Sequence, residues 1–210
     1  MQIILENISR RFNRDWIFRD VNYTFKDQQA YAILGANGSG KSTLLQVISG
    51  SLAPSSGDIN FTLKGQALAV ENVFEQLSLA APYLELIEEF SLMEMIDFHF
   101  GFKSFRSGMD KHAVIDLLGM KTSKHKLIRY FSSGMKQRAK LGLAFCADSP
   151  LLLLDEPTSN LDAQGIMWYK SLINEFTKNR LTIVCSNQPH EYEFCEQQLN
   201  IQDYKTVPIS

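Results

Sequence analysis

Residues 30–42 read AYAILGANGSGKS, a wholly apolar run that breaks into three spaced glycines and closes on a lysine and a serine. Few short stretches restrict a fold so strongly. GANGSGKS (35–42) fits G-x-x-x-x-G-K-[ST], with a strand expected before it and a helix, STLLQVIS, after it. Gly35, Gly38 and Gly40 let the backbone curl so that successive N–H groups face inward on a polyphosphate. Lys41 brings a point charge to the outer phosphates, and the Ser42 hydroxyl can ligate Mg²⁺. A helix opening at Lys41 adds the positive end of its dipole. The chain is therefore expected to be an α/β protein built around a phosphate loop.

A second stretch completes that chemistry. LLLLDEP (151–157) reads as a buried strand delivering Asp155 at its tip, where a carboxylate can hold Mg²⁺ through water. Glu156 follows at once, placed to polarise an attacking water as general base. On its own an acidic pair after a strand could equally open a helix; beside a phosphate loop the chemical role is the better reading.

The rest of the chain divides by periodicity. Strands are expected at 3–8, 16–25, 58–63, 66–70, 77–81 and 181–185, from alternating or wholly apolar runs rich in β-branched and aromatic residues. From Tyr83 to Leu127 the apolar spacing becomes helical, as in LMEMIDFHF (92–100) and KHAVIDLLGM (111–120). The order is a β-rich half, a helical insert, then a β–α–β return. At 210 residues this fits one α/β domain with a small inserted subdomain.

Bulk properties narrow the partners. A net charge of −2 gives no reason to expect nucleic-acid binding. The longest apolar runs fall far short of the ~18–20 residues that cross a bilayer, and MQIILENISRRF has no apolar core ending in small residues, so no signal peptide is expected. Cys146, Cys185 and Cys195 are odd in number within apolar or helical patterns, so they are expected to pack as small hydrophobes in a reducing compartment.

One stretch remains to be explained. FSSGMKQR (131–138) is a polar turn opening onto a basic helix-like run, which suits a second anion site or a plain helix cap at Ser132. With GANGSGKST (35–43), FSSGM and LLLLDEPTSNLD (151–162) in this order, the chain resembles the nucleotide-binding domain of the ATP-binding-cassette (ABC) family nearly end to end. FSSGM is similar to that family's LSGGQ signature, and SNLD (159–162) matches its D-loop. The resemblance implies a P-loop NTPase core over 1–82 and 129–210, with a RecA-like mixed sheet, an antiparallel β-subdomain and an α-helical subdomain inserted at 83–128.

The resemblance also implies the ligands and partners. ATP and Mg²⁺ would be bound by Gly35, Asn37, Gly38, Ser39, Gly40, Lys41, Ser42, Thr43 and Asp155, with Phe12 stacked on adenine. Two cassettes, identical or closely related, would pair head to tail, so that Ser132, Gly134 and Asp162 of one complete the ATP site of the other. That pairing explains the second anion site: one chain carries half of each of two shared sites. Separate integral-membrane permease subunits are implied, with the chain at the cytoplasmic face of a membrane, docking through the helical insert and the groove near Pro82. A slowly hydrolysing soluble regulator is the competing expectation.

Two family positions are filled differently. The glutamine expected near Pro82 is absent, and Gln76 falls too early, inside the strand expected there. Asn187, in IVCSNQ, stands where the family has a histidine and inherits its catalytic position; His190 follows three residues late and reads as a solvated residue at a helix start.

Overall fold

The computed structural model describes residues 1–205; residues 206–210, the end of the expected core segment, lie outside them. Two sheets carry the fold. Strands β1 (Gln2–Phe12), β2 (Asp15–Phe25), β4 (Ser56–Leu63) and β5 (Gln66–Leu68) form an antiparallel sheet in the order β2-β1-β4-β5. Strands β3 (Ala30–Leu34), β6 (Leu77–Ala80), β7 (Leu151–Asp155), β8 (Leu181–Cys185) and β9 (Gln197–Asn200) form the core sheet in the order β6-β7-β8-β3-β9. The strands of the core sheet pair in parallel and those of the first sheet antiparallel, the combination of sheets the resemblance implies.

Every residue of β7 and β8 is buried, because a parallel sheet is covered on both faces and needs apolar side chains on each. Alternate residues serve alternate faces. Leu151 and Leu153 join a core with the antiparallel sheet and helix α1 (Lys41–Ile48), while Leu152 and Leu154 pack beneath α4 (Ser133–Cys146) and α5 (Ala163–Phe176). A third core joins α2 (Leu92–Phe102) and α3 (Lys111–Leu118) to α4 through Leu92, Ile96, Val114, Ala139 and Leu143. The insert is thus anchored on the helix that opens at FSSGM. Cys146, Cys185 and Cys195 are free thiols buried in these cores.

Several boundaries differ from expectation, β1 among them, which runs to Phe12 rather than ending at residue 8. Helical spacing over 83–127 yields α-helices at α2 and α3 and a 3-10 turn at Lys121–Ser123; Ser91 starts α2 by forming a capping box with Glu94. The strand expected at 66–70 ends at Leu68, and Val70–Gln76 turns as a 3-10 helix that buries only Val73. Gln76 ends that turn and precedes β6 rather than lying inside it.

Register brings the two chemical motifs together. Ile33 of β3 and Asp155 of β7 both pair with Cys185 of β8, so the loop after β3 and the carboxylates after β7 emerge at one edge, flanking the end of β8. Ligand sites of open α/β sheets lie outside such strand ends.

Candidate nucleotide site

The phosphate loop is shaped by backbone that L side chains resist. Gly38 has φ 73° and Gly40 φ 103°. A Cβ on Gly40 would stand 2.5 Å from Ile17 Cγ2, so the loop also needs glycine there to close against β2. Helix α1 starts at Gly40 with no side-chain cap and no acidic residue in its first turn, leaving its N-terminal N–H groups for an anion. Lys41 is 4% exposed, and its Nζ donates to the carbonyls of Gly35 (2.8 Å) and Ala36 (3.1 Å). Ser39 Oγ is buried with no hydrogen-bond partner among the described residues, which suits a ligand acceptor or donor at that spot.

Asp155 is 1% exposed and its Oδ1 also has no partner. Burial pushes its carboxyl up to about 6, helped by Glu156 and Glu191, while the neighbouring Ser42 hydroxyl and Lys41 pull it down. A buried, orphaned carboxylate oxygen beside a serine hydroxyl fits a hard cation better than it fits an apolar core. Glu156 has φ 42°, unusual for a side chain of its kind, and its N–H donates to the Cys185 carbonyl at 2.9 Å. That bond and the Ser159 N–H on the Glu156 carbonyl (3.0 Å) hold the turn after β7 against its own strain.

Glu156 and Asn187 share one cavity of about 340 Å³ with Asn37, Thr158 and His190. Asn187 Nδ2 donates to Asn37 Oδ1 at 2.8 Å, linking the end of β8 to the phosphate loop. His190 is not the solvated residue expected: it is half-buried in α6 (Pro189–Tyr192), with Nε2 2.9 Å from Thr158 Oγ1. The short helix turns it back toward the β7 loop, which spacing from β8 does not reveal.

Ser132 lies elsewhere. It caps α4, accepting the Met135 N–H at 3.2 Å, and lines a separate cavity of about 330 Å³ with Gly134, Asn160 and Asp162. Asp162 caps α5, accepting the Gly165 N–H at 2.7 Å. Gln137, buried in the signature helix, donates to the Pro157 carbonyl at 2.8 Å and so ties the two motifs. Phe12 is 45% exposed at the end of β1, with the Arg10 guanidinium 4.6 Å over its ring.

The profile of the family described as ABC transporter matches residues 18–159, about two thirds of the chain. The chain belongs to the ABC transporter family. Its chemistry is therefore that of an ATP-binding ATPase. The chain is 27% identical over 186 residues to the uncharacterized ABC transporter ATP-binding protein YybJ of Bacillus subtilis, covering 88% of this chain and 84% of that one. It is 29% identical over 198 residues to ABC transporter I family member 1 of Arabidopsis thaliana, covering 91% of this chain and 84% of the relative. A solved dimeric bacterial ABC transporter cassette superposes with TM-score 0.79 at 20% identity, over 95% of this chain and 94% of that one.

Several site residues have no signal of their own in the sequence. Tyr83 follows Pro82, where a glutamine is expected; burial, then the charge of Asp155, pushes its phenol up to about 12, against a hydrogen bond with Gln46. Thr158 and Glu191 meet across 33 positions of chain, and only the family pattern after DEP marks the first of them.

Proposed function

We propose that this chain is the ATP-hydrolysing subunit of a membrane transporter, working as a head-to-tail pair of cassettes. The observation that carries the reading is the separation of its two anion sites. Asn37 of the phosphate loop, Glu156 and Asn187 line one cavity, whereas Ser132 and Gly134 line a different one, away from their own chain's phosphate loop. A partner's loop would bring a nucleotide there; the solved cassette of this fold is dimeric.

In this reading 1–82 and 129–210 form the catalytic core and 83–128 the helical subdomain. The amides of Gly35, Asn37, Gly38, Ser39 and Gly40, with Lys41 and Thr43, hold the phosphates, and Phe12 takes the adenine ring. Ser42 and Asp155 would hold Mg²⁺, whose bound charge would offset that of the outer phosphates. Glu156 accepts the proton of the attacking water, and the Asn187 amide donates to the γ-phosphate. Ser132, the N–H groups near Gly134, and Asp162 complete the partner's site.

Separate subunits would supply the membrane-spanning part; no helix among the described residues is long and apolar enough to cross a bilayer. Phe98 and Phe102 of α2 are 45% and 78% exposed with ring centres 5.2 Å apart, and Lys103 Nζ reaches the carbonyl of Phe74, itself 63% exposed. An apolar patch of this kind on the insert suits a docked partner at the cytoplasmic face.

Mixing two inactive variants tests the pairing. Lys41→Ala and Ser132→Arg each damage both sites of a homodimer. In a mixed head-to-tail dimer both lesions fall in one site and the other is whole. ATPase activity should therefore reappear on mixing. Activity that stays at the level of the separate variants would contradict the arrangement.

A further inference from the structure

Glu191 is 2% exposed, in the short helix α6, yet it carries a carboxylate. Oε1 accepts the Thr158 N–H at 2.7 Å and the Thr158 hydroxyl at 2.5 Å, and Oε2 accepts the Ser186 hydroxyl. The Tyr169 hydroxyl donates to the Glu191 carbonyl at 2.8 Å. The buried carboxylate thus fixes the turn after β7 against the end of β8, and the main-chain carbonyl of the same residue ties both to α5.

Its bond to Thr158 has a consequence for the neighbouring imidazole. A hydroxyl has one proton, and a carboxylate only accepts. With that proton directed to Glu191, Thr158 Oγ1 has only lone pairs left for His190, 2.9 Å away. His190 Nε2 must then carry a proton and donate. In the neutral ring this leaves Nδ1 as the acceptor, on a side chain that lines the cavity of Glu156 and Asn187.

We propose that His190 is a positioning residue of the hydrolytic site, held through Thr158 by Glu191 so that its ring orders the water Glu156 activates. The imidazole enters from the first turn of α6, and not from the end of β8, where Asn187 stands. Two groups thus divide the work at this edge. Asn187 braces the phosphate loop through Asn37, and His190 braces the water side through Thr158. The inference rests on the reading of Glu156 as the base.

The test compares turnover, nucleotide affinity and thermal stability in His190→Ala, Thr158→Val, Thr158→Ser and the double variant His190→Ala/Thr158→Val. Misplacing a group that orients a reactant typically costs about 10–100-fold in rate. His190→Ala and Thr158→Val should each lose kcat by about that factor, with nucleotide Kd within about threefold of wild type. Thr158→Ser should restore most of the loss, because it keeps the hydroxyl. The double variant should be no slower than His190→Ala, since both act through one ring. Should His190→Ala fold poorly, His190→Gln keeps a donor for Thr158 but lacks the second ring nitrogen, and should be equally slow. Wild-type turnover in folded His190→Ala or His190→Gln, or rate losses matched by lost nucleotide binding, would overturn the proposal. If Glu156→Gln hydrolyses ATP as fast as wild type, the base assignment fails first and takes this inference with it.

Discussion

Asp155 shows at the scale of one residue what the site costs the fold. Its carboxyl is raised from 3.8 to about 6, chiefly by burial. A folded-state value above the unfolded one means that the folded protein binds the proton more tightly. The stability this group contributes is therefore present below pH 3.8 and is lost as pH rises through about 6. Asp155→Asn should stabilise the nucleotide-free protein at neutral pH by about 2–3 kcal/mol, with the gain fading toward pH ~4, while ATP turnover is lost. Urea unfolding at both pH values checks it, and a less stable variant at neutral pH would refute it. Lys41, Ser42, Asp155 and Glu156 were legible because each sits at a fixed offset from a glycine loop or a strand end. Thr158, His190 and Glu191 were not, because their bonds span 32 or 33 positions and depend on how α6 turns.

At the scale of elements, the two anion sites are two helix starts treated differently. The first turn of α1 has no side-chain cap, whereas α4 is capped by Ser132. Ser132 accordingly serves the fold, and in the proposed pair it would serve the partner's site as well. Ser132→Ala should lower stability by about 1 kcal/mol through the lost cap and reduce ATPase activity, while leaving ATP binding to the isolated chain unchanged. Calorimetry and nucleotide titration separate the two effects; weakened binding by the monomer would place Ser132 at its own chain's nucleotide. The strands β3, β7 and β8 could be read because burial on both faces demands unbroken apolar runs. Strand β9, QQLN, has no signal of its own: among the described residues it is an edge strand bonded only to β3, with Leu199 its one buried residue, so neither composition nor alternation marks it. The 3-10 turn at Val70–Gln76 is equally silent, since a segment burying one residue has no period.

For the whole molecule the central proposal is that one chain would be half of two sites. The Ser132 cavity and the Glu156 cavity are joined by the short segment 158–162, and Gly134 approaches the Asn160 carbonyl so closely that a Cβ would stand 3.0 Å from it. A nucleotide bridging two chains would therefore be felt at both ends of that segment. The order of motifs made this arrangement readable as a resemblance; the anchoring of the insert on α4 was not, because Ala139, Leu143 and Cys146 face the insert from a helix whose pattern also serves the core sheet. Glu156→Gln gives the most direct test, since it keeps the shape and the ligands of the site but removes the base. Its sedimentation in saturating ATP and Mg²⁺ should be that of a dimer, returning to monomer when nucleotide is removed. A Glu156→Gln chain that binds ATP and sediments as a monomer would contradict the account.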